Sequence, residues 1–83
     1  MFFFFFQPSF SFRLKELRKA NNLTLEQLGN AIGSTKATMS NFETGQKKPS
    51  LDMIIKLADY FQVSIDYLVG RTDDPTFHRT KRD

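Results

Sequence analysis

Residues 23–50, LTLEQLGNAIGSTKATMSNFETGQKKPS, constrain this chain more than any other stretch. Apolar residues at Leu25, Leu28, Ala31 and Ile32 recur at helical spacing, and Met39 and Phe42 resume it after a break. The break is Gly33-Ser34-Thr35, a residue free to take positive φ followed by hydroxyls able to cap a second helix. Two short amphipathic helices therefore meet at a tight turn, and a Gly/Lys/Pro loop follows them. That supersecondary unit is suited to presenting the second helix to a groove in a partner.

With 83 residues the chain has room for one small domain. Twelve Lys+Arg against nine Asp+Glu leave a net charge of +3, a mild excess compatible with a polyanionic partner but also with many ordinary soluble domains. Cysteine is absent, which removes disulfides, thiolate nucleophiles and cysteine-bound metals. The lone histidine, His78, sits in a polar tail, no metal-ligand cluster is apparent, and neither Ser40 nor Ser50 has a base nearby. No enzyme, metal or cofactor is expected.

The amino terminus opens with Met1 and five consecutive phenylalanines, then Gln7-Pro8-Ser9-Phe10-Ser11-Phe12. This run is far shorter than the roughly 20 apolar residues needed to span a bilayer, and it lacks the basic start and cleavage site of a signal peptide. Residues 1–11 are read as an extension outside the domain, non-native or disordered. The alternative is a hydrophobic arm that docks on a partner.

From residue 12 the spacing predicts five helices and no strand. The first covers about residues 12–20, with Ser11 as a cap and Asn21-Asn22 as its end. The second starts after Thr24, where Thr24-Leu25-Glu26-Gln27 forms a capping box. The third follows Thr35 and stops at Gly45. The fourth runs from Ser50 to Phe61, with Leu51, Ile54, Ile55, Ala58 and Phe61 taken as its buried face, and a short fifth follows Ser64. Leu14, Leu17, Leu23, Leu28, Ile32, Met39, Phe42, Leu51, Ile54, Ala58, Phe61 and Leu68 are the expected core. The domain is placed at residues 12–70, and residues 71–83 form a polar flexible tail.

Several residues follow a shared pattern in one register: Arg13-Leu14-Lys15-Glu16-Leu17-Arg18, Leu25-Glu26-Gln27-Leu28, Gly33, Met39-Ser40-Asn41-Phe42-Glu43, Gly45, Pro49-Ser50-Leu51, Ala58 to Ser64, and Leu68. Over residues 12–69 the chain resembles the helix-turn-helix domain of the phage Cro/C1 repressors and the xenobiotic-response-element (XRE) regulators. The resemblance implies an all-α, compact five-helix bundle of the lambda-repressor-like type. It also implies a role in sequence-specific transcriptional control, with double-stranded DNA as partner and a homodimer as the acting form. Such a protein would be cytoplasmic, associated with the nucleoid, of bacterial or phage origin, and without a membrane segment.

By the same resemblance the third helix reads the major groove. Lys36, Ala37, Thr38 and Asn41 match the base-reading positions. Lysine can donate to guanine, asparagine can pair with adenine, and the alanine and threonine methyls can meet thymine. Thr24, Gln27, Ser40, Gln46, Lys47, Lys48 and Ser50 match the phosphate-binding positions. Leu25 stands where many relatives place a glutamine, and Gly29 where they favour alanine. Arg18 and Glu43 are expected to form a structural ion pair that orients the third helix without touching DNA. The alternative function is a protein-interaction module, an antitoxin or antagonist-type regulator with secondary or no DNA binding.

Overall fold

The computed structural model describes residues 9–77. The phenylalanine run and the last basic residues of the tail, on which parts of the sequence reading fell, lie outside them. Five helices follow one another: α1 (Phe10–Ala20), α2 (Leu25–Ala31), α3 (Lys36–Thr44), α4 (Leu51–Phe61) and α5 (Ile65–Leu68). The described residues form an all-α bundle, as the apolar spacing requires.

Each helix begins with a hydroxyl cap. Ser9, Thr24, Thr35, Ser50 and Ser64 each accept a hydrogen bond from a backbone N–H three residues on. α1 starts two residues earlier than its sequence pattern suggested, because Ser9 and not Ser11 is the cap. Ser11 is drawn instead into a tertiary contact, its hydroxyl donating to the Phe42 carbonyl at 2.6 Å. Asn22 takes the left-handed conformation after α1, and Gln62 takes it after α4.

α1 is the common wall of the bundle. It packs on α3 and on α5, while α2 packs on α3 and α4 on α5. Leu14, Leu28, Met39, Leu57 and Leu68 are fully buried where these helices meet, with Ile32, Phe42, Ala58 and Val63 around them. Leu17, Leu23, Ile54 and Phe61 pack on this cluster from its margin. The expected face of α4 is rotated in part: Leu51 is 66% exposed and Ile55 39% exposed, whereas Leu57 turns into the core, joined by Val63 just beyond the helix. Eight of the eleven α4 residues are apolar or aromatic. A stripe that broad does not define its own centre by spacing.

The chain after α5 folds back onto the bundle. Arg71 N–H donates to the Asp66 carbonyl at 2.8 Å, and Ser64 N–H to the Pro75 carbonyl at 3.2 Å. Arg13 of α1 is buried against the Tyr67 ring, 3.9 Å from its centroid, and its guanidinium reaches Asp73 at 2.6 Å. Residues 71–75 are thus tied down by contacts that a polar composition does not announce.

α2 and α3 approach unusually closely. A Cβ built on Gly29 would lie 2.8 Å from the Thr35 carbonyl carbon and 2.9 Å from its oxygen, both backbone atoms that cannot swing away. Gly29→Ala should therefore destabilise the fold by about 1–3 kcal/mol despite the better helix propensity of alanine. Urea denaturation of the two proteins measures the difference, and a gain in stability would contradict the close approach.

Arg18 on α1 and Glu43 on α3 form the expected pair. Nε and Nη2 meet the two carboxylate oxygens at 2.6 and 3.0 Å, and Nη1 donates to the Leu23 carbonyl at 2.8 Å. Both side chains are nearly buried, at 12% and 7% exposure. The hydrogen bond to Glu43 holds the guanidinium pKa above its ordinary value against the opposing effect of burial. The stabilisation this represents is fully present below the unfolded pKa and is lost only as pH rises through the raised one, so it does not vary near neutrality. Glu43→Ala leaves a buried cation without its partner and should cost about 3–5 kcal/mol, read as a lowered urea midpoint.

Candidate nucleic-acid interface

α3 presents two unlike faces. Met39 and Phe42 are buried, and the one acid of the helix, Glu43, is turned inward onto Arg18. At about 100° per residue the opposite side carries Ala37, Ser40, Asn41 and Thr44, with Lys36 at the N-terminal corner. Lys36 and Ala37 are exposed, while Ser40 and Asn41 are half-buried. The outward surface of α3 therefore carries no negative side chain, and the first helical turn contains no acid.

Thr38 departs from the outward placement the family pattern implies. It is half-buried, its N–H donates to the Thr35 hydroxyl at 3.1 Å, and its own hydroxyl accepts from Thr35 at 3.0 Å. The hydroxyl is occupied locally, so the part of Thr38 left for an apolar contact is its methyl group. Asn41 uses its backbone carbonyl to receive Gln46 and Lys47 N–H at 2.9 and 3.2 Å. Those bonds fold the following loop over the end of α3, where Gly45 takes φ +82°.

Two polar edges flank this helix. On the first, the capping box of α2 is complete: Gln27 N–H donates to the Thr24 hydroxyl at 3.0 Å, and Thr24 N–H to Gln27 Oε1 at 2.8 Å. Both bonds use side-chain oxygens as acceptors, and both residues are exposed. The Thr24 O–H and the Gln27 amide N–H groups remain as donors beside the positive end of α2. Leu25, in contrast, packs half-buried against the core. On the second edge Gln46, Lys47, Lys48 and Ser50 are all exposed, and Ser50 caps α4 by accepting from Met53 N–H at 3.1 Å. A cap of that kind again leaves the hydroxyl hydrogen available.

The N-terminal end of α3 is thus exposed, and the segments before and after the helix carry exposed hydrogen-bond donors at the start of α2 and at the start of α4. Arg18 stands apart, committed to Glu43 and Leu23. The sequence reading missed two side chains that shape this region. Ser11 braces the end of α3 through Phe42, and Lys56 of α4 donates to the Ile32 carbonyl at 3.1 Å. Neither belongs to a local pattern, since each reaches across more than 20 residues of chain. Among the described residues no three His, Cys, Asp or Glu side chains gather as a metal site would require, and no helix is long and apolar enough to cross a membrane.

Known proteins resemble the chain over these helices. A helix-turn-helix family model matches residues 14–68. The uncharacterized HTH-type transcriptional regulator YobD of Bacillus subtilis is 49% identical over 63 residues, covering 76% of this chain and 56% of that protein. RstR, the cryptic phage CTXphi transcriptional repressor of Vibrio cholerae, is 37% identical over 59 residues, covering 71% of this chain and 53% of its own length. This chain therefore spans about half the length of those two relatives. An uncharacterized HTH-type transcriptional regulator of Methanocaldococcus jannaschii, MJ0272, is 36% identical over 62 residues, or 75% of this chain and 94% of that one.

Two solved structures share the fold. A transcriptional regulator from Listeria innocua superposes with a TM-score of 0.73 at 29% identity, covering 94% of this chain and 68% of that one. The P22 c2 repressor, solved in complex with a synthetic operator, superposes with a TM-score of 0.72 at 23% identity, covering 77% and 97% of the two chains. With its paired helices, its close turn and its match over residues 14–68, the chain belongs to the helix-turn-helix family, of the Cro/C1 (XRE) type.

Proposed function

We propose that this chain is a sequence-specific DNA-binding transcriptional regulator, a repressor that binds an inverted repeat as a dimer with α3 in the major groove. The observation that carries the reading is the character of α3: its only acid is neutralised in the interior, and its exposed end offers Lys36 and Ala37 between two donor-rich edges. A helix so presented meets the steric and electrostatic demands of the groove. In this reading Lys36, Ala37, Asn41 and the Thr38 methyl contact base edges. Thr24, Gln27, Ser40, Gln46, Lys47, Lys48 and Ser50 hold the backbone on either side. RstR, a phage transcriptional repressor, and the P22 c2 repressor in complex with a synthetic operator support the same class of function.

Dimerisation is part of the proposal because one short reading helix covers only about four to six base pairs. Leu51 and Ile55, one turn apart on α4, are apolar side chains left exposed that offer surface for a second copy. Selection of bound sequences from a random duplex pool at near-physiological salt tests the whole reading. Enrichment of an inverted repeat is the expected result. Binding that is salt-labile and sequence-blind, or absent from a folded sample, would instead favour the protein-interaction role.

The division of labour between base and phosphate contacts has its own test. Lys47→Ala combined with Lys48→Ala should weaken binding to all duplexes alike and reduce the slope of log K against log salt by about 2. Asn41→Ala should cost about 1–3 kcal/mol at one base pair of the selected site and relax the preference there, leaving the slope nearly unchanged. Interchangeable effects, measured by salt-dependent titration, would contradict the placement of α3.

A further inference from the structure

Lys56 lies on α4, outside both donor-rich edges, and its ammonium is spent on the protein itself. Nζ donates at 3.1 Å to the carbonyl of Ile32, the residue that closes α2 at the turn into α3. The last carbonyls of a helix have no partner within it. Here Gly29 O accepts Ser34 N–H at 2.7 Å and Asn30 O accepts Gly33 N–H at 3.3 Å, while the Ile32 carbonyl points out of the turn to Lys56. A positive charge also suits this end of the α2 dipole. Gly33 stands directly beneath the ammonium: a Cβ placed there would lie 3.9 Å from Nζ.

The bond matters because of what it joins. α2 and α3 pack on each other, α4 packs on α5, and α1 bridges the two pairs. Lys56 adds a direct polar tie from α4 to the turn between α2 and α3. The N-terminus of α4 carries Ser50, and the Lys47-Lys48 loop leads into it. The tie therefore links the element that carries the α4-side donors to the turn that leads into α3.

We infer that Lys56 is a positioning residue: it anchors the turn and thereby sets the register between the α4-side phosphate contacts and the bases read by α3. The inference rests on the DNA-binding reading above. Backbone contacts place a protein on the duplex and base contacts discriminate, so discrimination depends on holding the two sets at a fixed separation. A lysine that bound phosphate itself would act differently, contributing to every duplex and to the salt dependence.

Three proteins, the wild type, Lys56→Met and Lys56→Arg, distinguish these roles through two measurements. The first is hydrogen exchange at the Gly33 and Ser34 amides of the free protein, which requires no DNA. The second is affinity for the selected operator and for random duplex across a range of salt. Lys56→Met keeps the apolar stem but removes the charge-assisted bond. It should speed exchange at both amides and lower the operator-to-random ratio, each by about tenfold. The salt slope should stay unchanged, and Lys56→Arg should restore both readouts. A slope reduced by about 1 with turn protection intact would overturn the inference in favour of a phosphate contact. Unchanged exchange, or faster exchange with an unchanged ratio, would overturn it as well. A wild type without sequence preference would overturn the DNA-binding reading, while the exchange result would still decide whether Lys56 anchors the turn.

Discussion

The forked contact between Arg18 and Glu43 is the constraint on which the arrangement of α3 depends. It joins the last turn of α1 to the last turn of α3 inside the protein, with both side chains almost wholly withdrawn from water. An ion pair so placed is costly to desolvate and costly to break, but two parallel N–H···O bonds permit little rotation between the helices they join. The third donor of Arg18 reaches the Leu23 carbonyl, so the same side chain also fixes the entry to α2. One residue of α1 thereby fixes both ends of the helical pair. The Ser11 hydroxyl adds a second brace at the Phe42 carbonyl.

Electrostatics at the surface follows from this interior arrangement. Were Glu43 turned outward, α3 would present a carboxylate toward any approaching polyanion. Its burial against Arg18 leaves the outward side to alanine, serine, asparagine, threonine and lysine, groups that either donate or are neutral. The complete capping box at Thr24 and the cap at Ser50 act in the same sense: each consumes an acceptor oxygen and leaves donors free, whereas the Thr35 hydroxyl hydrogen is spent on Thr38. Local rules of helix initiation thus help give the surface its chemical sign.

What could be read in the sequence was what is local. The capping box, the Gly33 and Gly45 turns and the bounds of α3 follow from neighbouring residues, and the structure has them where the pattern put them. The Arg18–Glu43 pair came from the family pattern, because no spacing rule links positions 25 apart. The orientation of α4 was legible only in part: Ile54, Ala58 and Phe61 face the core as expected, and Leu51 and Ile55 do not. Leu51, Ile54, Ile55, Leu57, Ala58 and Phe61 make an arc wide enough to bury in several rotations, and packing against α5 and the core cluster chose among them. Nor did the family pattern say that Thr35 would donate to the Thr38 hydroxyl. Nothing in the sequence singled out Lys56, since its partner is a backbone carbonyl and carbonyls leave no trace in a sequence.

The contact between Arg13 and Asp73 bears on where the folded unit stops. The Arg13 side chain is 8% exposed, its Nε has no hydrogen-bond partner among the described residues, and the carboxylate that answers its charge lies beyond α5 on a side chain 91% exposed. A fragment ending at Gly70 would keep the buried cation and discard its counter-ion, together with the Pro75 carbonyl that receives Ser64 N–H. The family match ends at residue 68, but the electrostatic closure of α1 lies several residues further along. A protease cutting between Gly70 and Asp73 would break no element of the helical pair, yet it would loosen the underside of the helix on which that pair is mounted.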